Sequence, residues 1–136
     1  MSSTPITGSC LCGSIKFEAA APFAGFRYCH CSRCQKASGS AHAANLFVPE
    51  TQFKWVAGEA LLKRFDHPQG ERFAVWFCPE CGTRMPHKIK TTDNMLIPAG
   101  VLDTDPVARP TNSIFWKSKA VWYHSPQELP QLDEYK

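Results

Sequence analysis

Seven cysteines fall into three tight groups along this chain: Cys10 and Cys12 in "SCLCGS", Cys29, Cys31 and Cys34 in "CHCSRC", and Cys78 and Cys81 in "FCPECG". Such grouping requires the fold to bring distant segments together around whatever the thiols hold. An odd count cannot pair off completely as disulfides, and seven in 136 residues is about half the density of a secreted disulfide scaffold. A C-x-C pair would also close a cramped ring on oxidation. On an extended chain, however, residues two apart face the same way and can grip one ion together. Metal binding is the stronger reading of the thiols.

The remaining composition narrows the setting. The N-terminus, "MSSTPITGSC", has neither a basic region nor an apolar core of a secretory signal, and no apolar run reaches the length of a membrane span. The expectation is a soluble, cytoplasmic protein, a single domain over residues 1–136 whose last residues, about 130–136, fray. The net charge of +3 is small and scattered, unlike the dense basic face of a nucleic-acid binder. Two zinc ions held by four and three thiolates would add −2 and −1 and bring it near zero. Neither nucleic acid nor membrane is an expected partner, and the oligomeric state is open.

Short β-rich segments dominate. "SIKFEA" alternates apolar Ile15, Phe17 and Ala19 with Lys16 and Glu18, the period of a half-buried strand. "AANLFVP", "FKWVAG", "ALLKRFD", "RFAVWFC", "MLIPAGVL" and "SIFWKS" share its aliphatic, aromatic and β-branched character. Turn signals separate them, and "LLKRFD-HPQG-ERFAVWF" predicts a hairpin in which Gly70 supplies a special backbone angle. One short helix is expected over "SRCQKASGS" (32–40), capped by Ser32 and ended by Gly39.

"CPECG" carries the strongest local signal, a knuckle in which two thiolates converge and the glycine opens the backbone. Tetrahedral zinc is satisfied by joining two such pairs from distant parts of the chain. The spacings fit no ferredoxin run, which disfavours an iron–sulfur cluster. Division of the seven as four plus three gives one closed, structural site and one with an open position. The residues leave two divisions open. Cys31 and Cys34 can join Cys78 and Cys81 as in a zinc ribbon, or Cys10 and Cys12 can join Cys78 and Cys81 and leave Cys29, Cys31 and Cys34 as a local tripod.

The combination "CLCGS…CHCSRCQKASGS…CPECGT" resembles the glutathione-dependent formaldehyde-activating family, to which centromere protein V is also similar. "IPAGVLD" (97–103) resembles the family segment after the knuckle, and "IFWKSKAVWYH" (114–124) its tryptophan-bearing C-terminal segment. The resemblance implies a mainly β fold, small antiparallel sheets in a β-tent stapled by a structural zinc, with one short helix. It implies the second division: Cys10, Cys12, Cys78 and Cys81 as structural zinc ligands, and Cys29, Cys31 and Cys34 as ligands of a second, reactive zinc. It also implies a carbon–sulfur lyase, with glutathione sulfur bound at the open position and adding to, or leaving, formaldehyde. Two zinc ions per chain are expected, the second at partial occupancy because three ligands hold less tightly than four.

Other candidates have ordinary readings beside the functional one. Arg33, Lys36 and Arg84 are placed to meet the carboxylates of a glutathione-like thiol, although each alone reads as solvated surface charge. His30 should point away from the ligands that flank it, as a hydrogen-bonded or surface side chain. His42 is the better histidine for a fourth ligand or a proton carrier. Trp55, Trp76, Trp116 and Trp122 are read as core, and Gly13 and Gly82 as parts of the knuckles. From a different class comes the alternative of a zinc-stabilised protein-binding module without catalysis.

Overall fold

The computed structural model describes residues 4–136. In chain order its strands are β1 (Ile6–Ser9), β2 (Lys16–Ala19), β3 (Gly25–Cys29), β4 (Ala43–Pro49), β5 (Phe53–Ala57) and β6 (Lys63–Asp66). They continue as β7 (Ala74–Phe77), β8 (Arg84–Met85), β9 (His87–Lys88), β10 (Asn94–Pro98) and β11 (Asn112–Ile114). One α-helix, α1 (Ser32–Ser38), follows β3. The architecture is mainly β with small sheets and a single short helix, as the sequence reading expects. No helix among the described residues is long and apolar enough to cross a membrane.

The strands form three sheets: β1-β2-β5, β11-β3-β4-β10-β9, and β6-β7-β8. All pairings are antiparallel except one, β11 lying parallel to β3 with Ile114 beside Cys29. The other pairings have the antiparallel sense that the resemblance implies. A parallel neighbour needs a long connection, and here it runs from β4 through β10 before the chain returns.

Alternation along the five-stranded sheet divides its two faces. Leu46 and Val48 of β4 and Met95 and Ile97 of β10 are buried against Ile15, Phe17 and Met85, the centre of the core. Phe17 stacks on Phe53 at 5.3 Å between ring centroids and meets Trp55 edge-on at 6.2 Å. The opposite face carries Arg27 and Cys29 of β3, Phe47 of β4, Leu96 of β10 and Ile114 of β11, which line a common cleft.

Two local expectations are corrected. The residue capping α1 is Cys31, not Ser32: its backbone is extended and its Sγ accepts from the Cys34 amide at 3.3 Å. Gly39 ends the helix in the left-handed region, as expected. The β6–β7 hairpin is present, with Asp66 opposite Ala74, but Gly70 is not among the positive-φ residues. Space is what Gly70 supplies, since a Cβ there would lie 2.5 Å from Arg33 Nη1 and 3.2 Å from Phe73 Cβ.

Candidate metal centres and the adjoining cleft

The turn after β1 and the turn between β7 and β8 bring Cys10, Cys12, Cys78 and Cys81 together. Their sulfurs lie within 4.8 Å of one another, with Cys10–Cys12 at 3.7 Å and Cys12–Cys78 at 3.8 Å. Every cysteine is a free thiol. Both turns need left-handed backbone at their glycines, Gly13 at φ 81° and Gly82 at φ 78°. The Gly82 amide donates to the Cys78 carbonyl at 2.7 Å, closing the knuckle. Hydrogen bonding from Thr83 holds the Cys81 thiol down to about 5, whereas burial pushes Cys78 up to about 11. Thr83 also ties the two turns, its hydroxyl accepting from the Leu11 amide at 3.0 Å.

Cys29, Cys31 and Cys34 form a second group, also within 4.8 Å, built from the end of β3 and the first turn of α1. Cys29 and Cys34 are buried and Cys31 is half-buried. The Cys34 thiol donates to Cys29, and this is the main reason that Cys29 is lowered to about 6 and Cys34 is raised. Arg84 contributes to lowering Cys29. The three thiols in turn favour the charge that burial of the guanidinium opposes. Arg84 is therefore not the solvated surface charge of the ordinary reading. It lies half-buried, 5.7 Å from the Phe73 ring centroid, with Nη2 donating to the Ala74 carbonyl at 3.4 Å.

Either group has the donor chemistry of a thiolate-bound zinc. A Zn–S bond of about 2.3 Å implies tetrahedral sulfur–sulfur edges of about 3.8 Å, close to the separations of Cys12 from its neighbours. Among the described residues no histidine or carboxylate joins either group. His42, the candidate fourth ligand, instead packs on the opposite face of β3, stacked on Tyr28 at 4.4 Å with Nδ1 3.1 Å from the Ala43 carbonyl oxygen.

His30 does point away from the tripod, as alternation requires, but it is neither exposed nor hydrogen-bonded. It is 0 % exposed, both ring nitrogens lack partners among the described residues, and His42, Trp116 and Tyr123 surround it with ring centroids at 4.9, 5.0 and 5.3 Å. Burial lowers its pKa, and nearby His42 and Lys119 lower it further. Trp116, read as core, is 49 % exposed and walls this nest from outside. Trp122 is more exposed still.

The tripod opens onto a cleft of about 480 Å³ whose lining includes Arg27, Arg33, Arg72, Phe47, Phe73 and Phe115. Arg33 is the cation placed beside the tripod by the sequence reading; exposed Lys36 is not part of the lining. Arg27, Arg72 and the aromatic walls were missed. Arg27 carried a usable signal, since it stands two residues before Cys29 and shares its face once residues 25–29 are recognised as a strand. Arg72 arrives through the hairpin turn, a long-range placement with no local signature.

The family model described as glutathione-dependent formaldehyde-activating enzyme matches residues 5–118. The chain belongs to this family. The match takes in all seven cysteines and ends inside the stretch from Ile114 to His124. No curated protein matches the chain. Among solved structures, a crystal structure of a Rhodobacter sphaeroides protein superposes with a TM-score of 0.62 at 21 % identity, covering 79 % of this chain and 98 % of that one. At that identity the likeness establishes the fold shared by the two chains.

Proposed function

We propose that this protein is a zinc-dependent carbon–sulfur lyase resembling S-(hydroxymethyl)glutathione synthase, with Cys29, Cys31 and Cys34 as its reactive centre. In this reading Cys10, Cys12, Cys78 and Cys81 hold a structural zinc, and the tripod holds a second zinc with one position open. The observation that carries the proposal is the tripod itself: three converging thiols with no fourth ligand among the described residues, on the wall of a cleft large enough for a small peptide. Family membership supports the choice of glutathione and formaldehyde.

A zinc ion bound there would supply Lewis acidity that keeps an incoming thiol ionised at neutral pH. Three thiolate ligands damp that acidity, which suits thiolate handling better than water activation. The chain's own part is to orient the thiol and to hold charge. Arg84 offsets the negative charge accumulated on the tripod, and Phe73 and Phe115 give the cleft apolar walls. In the reaction, the thiolate sulfur attacks the carbonyl carbon and a C–S bond forms. The C=O π pair moves to oxygen, which takes a proton from solvent to give the S-hydroxymethyl adduct. The reverse breaks the same bond and releases aldehyde and thiol.

The test is optical titration of the cobalt-substituted protein with glutathione after metals per chain are counted. Two metals are expected, with a visible band that shifts on thiol addition and is lost in Cys31→Ser. Two metals whose spectra ignore glutathione would overturn the lyase reading. That result would favour a zinc-stabilised binding module, for which the exposed side chains of Val121 and Trp122 offer an apolar surface.

A further inference from the structure

We infer that residues 115–123 form a strap that clamps the "CHC" turn from the far side of the sheet, with His30 and Gln35 as the positioning residues through which it keeps the tripod in shape to hold a metal. The inference rests on the tripod being a metal site and needs nothing of the thiol chemistry proposed for it. His30 stands between two tripod cysteines, and its backbone is held at both polar groups. Its amide donates to the Ile114 carbonyl at 3.0 Å, and its carbonyl accepts from Gln35 Nε2 at 2.8 Å. Gln35 Nε2 also donates to the Ser118 carbonyl at 3.0 Å, so one side chain of α1 joins the cysteine turn to the strap. The backbone amide of Gln35 donates to the Cys31 carbonyl at 2.9 Å. Ile114, just before the strap, and Ser118, within it, are thereby fastened to the turn that sets Cys29 and Cys31.

The His30 ring is wholly buried with no hydrogen-bond partner among the described residues, although an imidazole carries an N–H in either tautomer. A phenylalanine would fill the nest without stranding a polar group, so packing alone does not explain a histidine there. What the ring gains is edge-to-face contact with the strap, at 80° to Trp116 and 71° to Tyr123, the arrangement in which an N–H can meet a ring face. Trp116 in turn meets Tyr123 at 89° and carries Lys119 Nζ 4.7 Å from its ring centroid. Phe115 has left-handed backbone, φ 55°, uncommon for any residue with a side chain. That turn leaves Phe115 on the cleft wall and Trp116 against His30 on the other face. The strap thus grips the sheet edge from both sides, and the ligand-bearing turn would have to break that grip to shift. Residues that hold metal ligands in place, without touching the metal, commonly change its affinity about 10–100-fold.

The experiment titrates the cobalt-substituted protein with a chelator and follows the visible bands of each site, those of the tripod being the ones missing in Cys31→Ser. Wild type is compared with Gln35→Ala, Trp116→Ala, Tyr123→Ala and Tyr123→Phe. Each alanine variant should hold cobalt at the tripod about tenfold less tightly, with the tripod bands shifted, while the knuckle keeps its wild-type affinity. Tyr123→Phe keeps the ring and should bind as the wild type does. Gln35, Trp116 and Tyr123 lie outside the buried core, so the variants should fold, as an unchanged knuckle site would show. Wild-type affinity at the tripod in all three alanine variants, or equal weakening at both sites, would overturn the inference. A wild type that takes up one metal only would bring it down together with the proposed function. A tripod that weakens as expected in the variants yet ignores glutathione would sink the lyase reading and leave the strap standing.

Discussion

His87 is 2 % exposed, its Nδ1 has no partner among the described residues, and burial, reinforced by the Arg84 charge, lowers its pKa to about 4. Asp66 opposes this weakly, and Trp76 packs 6.1 Å away between ring centroids. The unfolded chain takes up a proton near pH 6.5 that the folded chain refuses until about 4. Stability contributed by the neutral ring is therefore present above pH 6.5 and lost as pH falls towards 4, by up to about 3 kcal/mol. His87→Leu should flatten this part of the acid limb, read from urea midpoints at pH 7 and pH 4.5. Equal losses in the two proteins would show that other groups, such as the cysteines, govern it. Nothing in "MPHKIK" marks His87 as buried; that follows from its place opposite Leu96, on the face of the sheet turned away from the core, where Trp76 packs beside it. Arg84 is legible as a cation that follows the knuckle, but its burial beside the tripod emerges only once β8 is laid against it.

At the scale of elements, the strands that could be read locally are those with strong β-branched or aromatic runs. "AANLFVP" is β4 from end to end, and "FKWVA" is β5. The missed strands are β1, β3, β8 and β9, short or mixed in character: β3, "GFRYC", interleaves an arginine with aromatics because one face serves the core and the other the cleft. β1, "ITGS", looks like a loop because Gly8 interrupts it. The structure gives that glycine a reason. A Cβ there would run into the Phe17 ring and lie 2.8 Å from the Val101 carbonyl oxygen. Gly8 also bridges to Leu102, tying the first sheet to the segment after β10. Gly8→Ala should therefore cost about 1–3 kcal/mol through overpacking, measured as a fall in the urea midpoint at unchanged slope. A loss of a few tenths would mean that Phe17 can swing aside and that the aromatic stack with Phe53 is softer than its burial implies.

For the molecule as a whole, the two cysteine groups have opposite topological roles although their chemistry is nearly the same. Local spacing alone favours joining Cys31 and Cys34 to Cys78 and Cys81, since both pairs are C-x-x-C; only the long-range fold brings Cys10 and Cys12 to the knuckle. Cys12 and Cys78 are separated by 66 residues, so an ion shared between their turns closes a large loop and fastens the first sheet to the third. The tripod spans one strand end and one helical turn and closes no large loop. Loop-closure entropy makes the first kind of link stabilising and the second nearly neutral. Cys78→Ser should lose one metal per chain and lower Tm by about 15 °C, the scale of several kcal/mol in a domain of this size. Cys31→Ser should also lose one metal but shift Tm by only about 3 °C or less. Elemental analysis beside thermal melts of the two variants checks both halves. A collapse of Cys31→Ser with Cys78→Ser left intact would reverse the roles assigned to the groups, making the tripod the staple and leaving the knuckle free for chemistry.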